Sequence, residues 1–384
     1  MGSGSRAGIA SSYRCPEPER PWRTTAPFSY RHPLTKRSCV DGRNSWKRVC
    51  ARLPTGSMPR HSLPTDAWWT RVLEPLYRQG LNLHRAAYLH GWLPRRPGAL
   101  PTVVVGNLRV GGTGKTPLAR WWAEWLADRG ERPAVVVRGH ADELTWHRER
   151  TPPIPVFADR RRHRALRRAA AWGCTVAVLD DGFQHWPLAP TVALLVVAAE
   201  DGAAPGPLLP RGPWREGPEG FARADAILIS RKTASVDQAR RVADALKERW
   251  RRPVALVALR LTITGPRPLA PDEPLAALAG LATPERFVAQ LEAAGYRIER
   301  AWVRRDHHRY RPTEVAQILR ELGDRPLVTT AKDAVKLRRW WPVARPLWVA
   351  DLAPVPEDGW AAVETIVAHR LALNRADFGP WKSS

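Results

Sequence analysis

The fold is decided by the stretch Val103-Val-Val-Gly-Asn-Leu-Arg-Val-Gly-Gly-Thr-Gly-Lys-Thr-Pro117, in which three β-branched residues lead into a glycine-rich turn. The valines are typical of a buried strand. Gly111, Gly112 and Gly114 allow successive backbone N–H groups to close around phosphate oxygens without Cβ clashes. The stretch therefore predicts a phosphate-binding loop.

The polar residues of this loop have predicted roles. Lys115 would reach the β- and γ-phosphates of a nucleotide, and the Thr116 hydroxyl would ligate Mg²⁺. Apolar residues then recur at helical spacing, which predicts a helix whose N-terminus adds its dipole to the anion site: Leu118, Trp121, Trp122, Trp125 and Leu126. We therefore expect a nucleotide and Mg²⁺ to bind here, with the nucleotide contacted by Gly111, Gly112, Thr113, Gly114, Lys115 and Thr116.

One position departs from the common phosphate-loop pattern. That pattern has a glycine five residues before Gly114, where this chain has Arg109. A glycine-rich turn that precedes Lys-Thr by chance would account for the departure, but it would not account for the strand and the helix on either side. The phosphate loop is the favoured interpretation.

Composition narrows the possible partners. The 384 residues suffice for one large or two medium domains, and the chain has no run of 18 apolar residues that would predict a transmembrane helix. The formal net charge of +24 favours an acidic partner, which leaves nucleic acid, an anionic membrane surface and a phosphorylated substrate open. The four cysteines lack the spacing of a zinc site or a disulfide framework, so we expect a reducing cytosol.

The first 57 residues differ from the rest of the chain. Ser, Arg, Pro and Gly dominate, and basic residues outnumber acidic ones eleven to three. This composition predicts disorder. Organised sequence begins just after Met58, so we expect Met58 to be the natural start and residues 1–57 to be an upstream mistranslation.

Residues 66–92 predict helical segments interrupted at Pro75 and Gly80. Their apolar residues suit one face of a helix: Trp68, Trp69, Leu73, Leu76, Tyr77, Leu81, Leu83 and Tyr88. Such a stripe more often packs in a core than on a membrane, although the basic residues around it also suit a membrane surface. Both interpretations stay open.

Strands and helices alternate after the phosphate loop, with strands expected at 134–138, 175–181, 192–197 and 226–229. The alternation predicts an α/β fold of the phosphate-loop NTPase type, with a mostly parallel sheet covered by helices on both faces. One strand ends in the adjacent carboxylates Asp180 and Asp181, where a phosphate-loop enzyme places its metal-binding carboxylate. Ligands of such sheets bind at the carboxyl ends of the strands.

The pattern restarts in the last third of the chain. We expect a core domain over 58–262 and a smaller C-terminal α/β domain over 263–384, joined by the Pro-rich run 265–271. Within the second domain, a helix capped by Thr313 is expected to end near Gly323.

Several stretches together resemble one family, the tetraacyldisaccharide 4'-kinases of lipid A biosynthesis. They keep that family's order and span roughly residues 70 to 370. The matching stretches are Val105-Gly-Asn-Leu108 with Gly111-Gly-Thr-Gly-Lys-Thr-Pro117, Leu179-Asp-Asp-Gly-Phe-Gln-His185, Leu208-Leu-Pro-Arg-Gly-Pro-Trp-Arg-Glu216, Gly280-Leu-Ala-Thr-Pro-Glu-Arg-Phe287, Asp306-His307 and Thr330-Ala-Lys-Asp-Ala-Val-Lys336. The family also lacks the first glycine of the common loop, as this chain does at Arg109.

The resemblance implies transfer of the ATP γ-phosphoryl group to the 4'-hydroxyl of a tetraacylated glucosamine disaccharide 1-phosphate. It implies ATP and Mg²⁺ as cofactors and a peripheral position on the cytoplasmic face of the bacterial inner membrane. It implies no nucleic acid and no obligate protein partner. The basic surplus suits an anionic substrate in an anionic bilayer.

The resemblance also implies roles for residues outside the phosphate loop. Asp180 and Asp181 match the metal-binding carboxylates, and Gln184 and His185 match their active-site neighbours. Arg215 resembles an arginine near the reacting phosphate. Arg160 resembles a second such arginine, with Arg161 an almost equal candidate.

The family's general base is an Asp in a Gly-Asp-Glu-Pro stretch, assisted by a His from the second domain. The nearest matches are Asp142 and His307. About 20 residues that usually precede the catalytic Asp are missing here, so either the loop is trimmed and Asp142 still reaches the site, or the base has moved or gone. Asp159 is the alternative base.

Two other functions compete with the kinase. The charge of +24 also suits a phosphate-loop NTPase that acts on nucleic acid, although no RNA- or DNA-binding motif is visible. The shortened loop before Asp142 also suits a degenerate family member that binds ATP or lipid without catalysis.

Overall fold

The computed structural model describes residues 68–378 except 140, 151, 271, 282–283 and 306–307, and gives no side chains for 141, 142 and 373–378. The expectations for residues 1–57, Met58 and His307 lie outside this part.

The strands are β1 Arg96–Pro97, β2 Thr102–Gly106, β3 Pro133–Val137, β4 Val156–Ala158, β5 Val176–Asp180, β6 Leu188–Ala189, β7 Val192–Ala198, β8 Ala226–Arg231, β9 Val254–Thr264, β10 Pro274–Gly280, β11 Arg297–Arg304, β12 Leu327–Thr330 and β13 Trp348–Pro356. The α-helices are α1 Trp68–Leu89, α2 Lys115–Ala127, α3 Ala141–Arg148, α4 Arg162–Ala171, α5 Val236–Trp250, α6 Pro284–Ala293, α7 Pro312–Leu322, α8 Ala331–Leu337 and α9 Trp360–Phe378.

Eleven of the described strands form one sheet in the order β11-β10-β12-β13-β9-β8-β7-β2-β5-β3-β4. The seven strands from β9 to β4 in this order run parallel to one another. Helices cover both faces of these seven strands: α2 and α9 pack on one face, and α4 and α5 on the other. The predicted α/β class with a mostly parallel sheet is confirmed.

The sheet reverses direction between β9 and β13. These two long strands pair antiparallel from Val257 with Pro356 to Thr264 with Val349, whereas β10 to β13 run parallel to one another. Strand β8 pairs with residues 254–258 of β9, whereas β12 pairs with residues 348–350 of β13, of which Val349 and Ala350 lie opposite Thr264 and Ile263 of β9. The second set of strands is therefore offset beyond the carboxyl ends of the first and runs back toward them, so the carboxyl ends of the two sets are directed toward each other. The predicted boundary after residue 262 stays a prediction, because one sheet runs across it.

Two local predictions were wrong. Helix α1 continues through Pro75 and Gly80, because contacts beside Pro75 hold it against the body of the chain: buried Glu74 accepts the Leu208 N–H at 3.2 Å, and the Tyr77 hydroxyl donates to the Arg215 carbonyl at 3.0 Å. Helix α7 begins at Pro312 rather than after a Thr313 cap, since proline suits the first helical turn, but it ends at Gly323 as expected.

Candidate active site

The glycine-rich stretch forms a closed loop between β2 and α2. Gly111 and Gly114 have φ angles of 116° and 87°, the left-handed region that favours glycine. A Cβ on Gly114 would also lie 2.1 Å from Leu259 Cδ1. Inside the loop, Asn107 Nδ2 donates to Thr113 Oγ1 at 2.9 Å, and both side chains are buried. The loop backbone is therefore fixed by its own sequence.

Residues at the end of β8 and directly after β7 and β8 hold the loop from outside. Ser230 Oγ donates to the Thr113 carbonyl at 2.6 Å, and Lys232 Nζ donates to the Gly112 carbonyl. Glu200 Oε1 accepts the backbone N–H groups of residues 232 to 234 at 2.7 to 3.1 Å, which fixes the segment that carries Lys232. Burial lowers the pKa of Lys232 to about 8, although the Glu200 carboxylate opposes that shift.

Arg109, at the position where the common loop pattern has glycine, forms an ion pair with Asp201. Its Nη1 donates to Asp201 Oδ1 at 2.7 Å and to Oδ2 at 2.8 Å. The same carboxylate accepts Arg286 Nη2, from α6, at 3.3 Å. The phosphate loop is thereby joined to the second set of strands and helices through one acidic side chain.

Asp181 is the point where the predicted site residues meet. Its φ angle of 55° is one that Asp tolerates better than most residues, and it turns the chain at the end of β5. Lys115 Nζ lies 3.9 Å from its Oδ1, and Arg215 Nη1 lies 3.1 Å and 3.2 Å from its two oxygens. Arg215 Nη1 also donates to Gln184 Oε1 at 3.3 Å, and Gln184 Nε2 to the Asn107 carbonyl at 2.7 Å.

Asp180 is fully buried beside the same group of residues. Its Oδ2 lies 3.2 Å from Nε2 of His147, which is also fully buried. Burial by itself would raise the pKa of Asp180, but the His147 hydrogen bond and the charges of Lys115 and Lys332 outweigh it and hold that pKa below its usual range. Asp180 is therefore an ionised carboxylate at neutral pH.

The residues present fit a magnesium ion. Asp180 Oδ1 is buried and has no hydrogen-bond partner in the described part of the chain, so a carboxylate oxygen is left for a cation. Carboxylate and hydroxyl oxygens, here from Asp180, Asp181 and Thr116, are the hard ligands that Mg²⁺ takes together with nucleotide phosphates. Within the described ranges no cluster of three or more His, Cys, Asp or Glu side chains forms a metal cage.

The three arginines at 160–162, at the start of α4, differ in burial, and the role expected for Arg160 stays a prediction. Arg160 and Arg161 are exposed, whereas Arg162 is buried. Burial lowers the pKa of Arg162, and the charges of Asp181 and Asp180 oppose that shift. Its Nη1 donates to the Asp159 carbonyl at 3.0 Å, which orients the guanidinium.

His185 lies one residue beyond Gln184 and differs from it in its surroundings. Its Nε2 is buried without a hydrogen-bond partner among the described residues. Burial, with the charges of Arg162, His163 and Arg138, lowers the pKa of His185 to about 4. The imidazole is therefore neutral at physiological pH.

The structure describes the candidate base residues and the assisting His307 to different extents. Asp142 lies in the first turn of α3, the helix whose His147 contacts Asp180, but its side chain is not described. His307 lies outside the described residues, directly after β11. Asp159 directs its carboxylate to the start of α4, where Oδ1 accepts the Arg161 N–H at 2.8 Å and Oδ2 lies 3.6 Å from Arg168.

Three residues of this site were not predicted: His147, Arg162 and Lys232. A signal existed for Arg162, because it shares a helical face with Ala165, Leu166 and Ala169, all of which are buried. His147 and Lys232 contact residues 33 and 120 positions away, so no local pattern marks them.

Helix α1 lies against the loop that carries Arg215 and exposes its other face. Thr70, Glu74, Tyr77 and Leu81 face the body of the chain. The opposite face is apolar and open to solvent, with Trp68 77% exposed, and includes Val72, Leu76 and Leu83. Of the two interpretations left open for this apolar stripe, packing in a core holds for only part of it, because Trp68, Leu73, Leu76 and Leu83 are exposed. None of the described helices is apolar over enough length to cross a bilayer.

Comparisons with known proteins point to one family. The model of a family described as tetraacyldisaccharide-1-P 4'-kinase (LpxK) matches residues 66–148 and 142–371. The tetraacyldisaccharide 4'-kinase of Alkalilimnicola ehrlichii is 36% identical over 306 residues, which cover 71% of this chain and 85% of that relative. The enzyme of the same name from Anaeromyxobacter dehalogenans is 34% identical over 302 residues, covering 69% and 80%.

A solved structure has the same fold. LpxK from Aquifex aeolicus, crystallised in complex with ATP, matches with a TM-score of 0.60 over 78% of this chain and 97% of its own. The two sequences are 20% identical, so this likeness concerns the fold alone.

Proposed function

Because the chain belongs to the tetraacyldisaccharide-1-P 4'-kinase family, we propose that it transfers the γ-phosphoryl group of ATP to the 4'-hydroxyl of tetraacyldisaccharide 1-phosphate, giving lipid IVA. The observation that carries this proposal is the convergence of Lys115 and Arg215 on Asp181 beside the phosphate loop. Phosphoryl transfer needs positioning and charge neutralisation more than covalent chemistry, and this arrangement supplies both.

The nucleotide binds in the loop between β2 and α2. The backbone N–H groups of residues 111 to 114 surround its phosphates, and Lys115 contacts the β- and γ-phosphates. Thr116, Asp180 and Asp181 would hold Mg²⁺, which when bound would neutralise charge on the phosphates. His147 orients Asp180 from the side opposite its unpartnered oxygen, as carboxylate and His pairs do at metal sites.

Two arginines bind the phosphoryl group as it transfers. Arg215 is one, since only its Nη1 is engaged by Asp181 and Gln184 in the described structure and the guanidinium has further donors. Arg162 takes the role predicted for Arg160, because Arg162 is the buried member of the run and its charge acts on both carboxylates.

Asp142 removes the proton of the 4'-hydroxyl, with His307 assisting it. Support for Asp142 comes from α3, which His147 joins to Asp180 and which begins at residue 141. A carboxylate within hydrogen-bond reach of the hydroxyl can accept its proton late in the transfer. Asp159 is less suited, because its Oδ1 accepts the Arg161 N–H at the start of α4 and its Oδ2 lies 3.6 Å from Arg168 in the last turn of that helix.

The enzyme is a peripheral protein of the cytoplasmic face of the inner membrane. The exposed apolar face of α1 is flanked by Arg71, Arg78 and Arg85, a combination that binds anionic bilayers. Helix α1 also contacts the loop that carries Arg215, through Glu74 and Arg211 at 3.2 Å. Membrane docking would therefore place the acyl chains of the substrate beside the active site.

The competing functions are not favoured. A nucleic-acid-dependent NTPase has no support from the family or its relatives, and the site retains the lysine, the carboxylates and the arginine that a degenerate member would be expected to lose.

Transfer of labelled γ-phosphate tests the proposal. The parent chain, with ATP, Mg²⁺ and tetraacyldisaccharide 1-phosphate in detergent micelles, is expected to give labelled lipid. Lys115→Ala is expected to lose most of it, and Lys247→Ala, on the exposed surface of α5, to match the parent. A folded parent that binds ATP but labels no lipid would contradict the kinase function.

A further inference from the structure

One of the stretches that resemble the family, Thr330-Ala-Lys-Asp-Ala-Val-Lys336, has no role in the mechanism described above. It forms the end of β12 and helix α8. Because the carboxyl ends of the two sets of strands are directed toward each other, the carboxyl end of β12 is directed toward those of the first set. The start of α8 therefore lies on the side of the second strand set that faces the phosphate loop.

The backbone at this point is rigid. Asp333 is fully buried, and its Oδ2 accepts the Gly280 N–H at 2.8 Å and the Thr330 hydroxyl at 2.7 Å. The Thr330 hydroxyl in turn accepts the Asp333 N–H at 3.1 Å. Lys336 Nζ lies 3.7 Å from Asp333 Oδ1. These contacts fix the backbone at the start of α8, where Lys332 lies.

Helix α8 also packs directly on α3, which carries Asp142 and His147. Arg338 Nη1, just after α8, donates to Glu149 Oε2, just after α3, at 2.9 Å. A segment of the second strand set is thus held against the helix that borders the metal-binding carboxylates.

Lys332 differs from Lys336, which lies 3.7 Å from Asp333, in having no ion-pair partner in the described part of the chain. It is half-buried and forms no hydrogen bond or ion pair with any residue that the structure describes. Its positive charge interacts with the carboxylate of Asp180 at the end of β5. A half-buried ammonium without a partner loses hydration without compensation, which is the situation of a group that awaits an anionic ligand.

We propose that Lys332 is a further catalytic residue, which contacts the phosphoryl group during its transfer from ATP to the lipid. This inference rests on the proposed function. The acceptor's own phosphate is attached at position 1, at the far end of the disaccharide from the 4'-hydroxyl. The anion that comes close to Asp180 is therefore the transferring group.

The step balances without another reactant. The bond from the γ-phosphorus to the β,γ-bridging oxygen breaks, a bond to the 4'-oxygen forms, the hydroxyl proton passes to the base, and ADP leaves. Lys332 neutralises charge on the equatorial oxygens and takes no proton. It supplies from the second strand set what Lys115 supplies from the first.

The test compares Lys332→Met, which keeps the methylene stem and removes the charge, with Lys332→Arg and with Lys247→Met as a matched control on an exposed surface. Each chain is assayed for kcat and KM with ATP and the acceptor lipid, for ATP affinity by calorimetry, and for thermal unfolding. We expect Lys332→Met to lower kcat on the order of 100-fold with ATP affinity and unfolding temperature close to the parent's, and Lys332→Arg to restore part of the rate.

A kcat of Lys332→Met within threefold of an active parent would overturn the inference. So would a loss of ATP affinity as large as the loss of kcat, since Lys332 would then bind the ground-state nucleotide. Failure of the parent itself to phosphorylate the lipid would count against the proposed function instead.

Discussion

Nε2 of His147 lies 3.2 Å from Oδ2 of Asp180, with both side chains fully buried. The carbonyl of His147 also accepts Arg120 Nη1, from α2, at 3.2 Å. One residue thus joins the metal-binding carboxylate, the helix of the phosphate loop and the helix that begins beside Asp142. The helix that carries the proposed base, Asp142, is thereby held beside the proposed metal ligand Asp180.

Replacing His147 should weaken the metal site. In His147→Leu, Asp180 loses its orienting partner, and residues in such positions typically account for 10- to 100-fold in metal affinity. We expect the Mg²⁺ concentration for half-maximal activity, and the Mg²⁺ dependence of ATP affinity measured by calorimetry, to rise by about tenfold or more. His369→Leu, on the exposed side of α9, is the control; equal Mg²⁺ dependence in both variants would exclude this role.

The arginine run offers a comparison within three residues. Arg162→Ala is expected to lower kcat on the order of 100-fold, because it removes a buried cation beside Asp180 and Asp181. Arg160→Ala and Arg161→Ala are expected to stay within about threefold of the parent, since surface changes away from a site are usually small. A large loss in Arg160→Ala with an active Arg162→Ala would restore the assignment made from the sequence.

Lys232 should make stability depend on pH in a defined window. Its folded pKa of about 8 lies below the usual 10.5, so the unfolded chain binds more protons between these values and stability rises with pH there. In denaturant unfolding, the parent should gain stability relative to Lys232→Met as pH rises from 7 to 10. Lys247→Met, an exposed control, should show a constant difference from the parent, and a constant difference for Lys232→Met would refute the shift.

The outer face of α1 should govern membrane binding. Leu76→Glu with Leu83→Glu places two carboxylates on the exposed apolar face, and cosedimentation with vesicles of anionic phospholipid is expected to fall at least tenfold because burial and charge attraction are both reduced. Val343→Glu, a fully exposed position after α8, is the control. Unchanged sedimentation of the double variant would place the membrane contact elsewhere.

The parts predicted from the sequence are those whose chemistry is local. The glycines, Lys115 and Thr116 are contiguous, and Asp180 and Asp181 end an apolar strand, so periodicity and spacing suffice for both. The convergence of Lys115 and Arg215 on Asp181 follows from the resemblance, which places them in one site.

The parts that were missed depend on distant contacts. The antiparallel pairing of β9 with β13, which turns the second strand set to face the first, joins residues about 90 positions apart and has no local signature. The exposure of α1 could not be read from its stripe either, because an apolar helical face looks the same whether it packs on protein or on lipid. Lys332 gains its significance only from that reversal of the sheet.

Phosphorylation of the 4'-hydroxyl can be tested by proton–phosphorus correlation NMR of the lipid product made by the full chain from ATP and tetraacyldisaccharide 1-phosphate. We expect a second phosphorus signal that is coupled to the proton on carbon 4' and is absent from reactions with Lys115→Ala. A phosphate coupled to any other sugar proton, or an unchanged lipid after incubation with folded, ATP-binding protein, would contradict it.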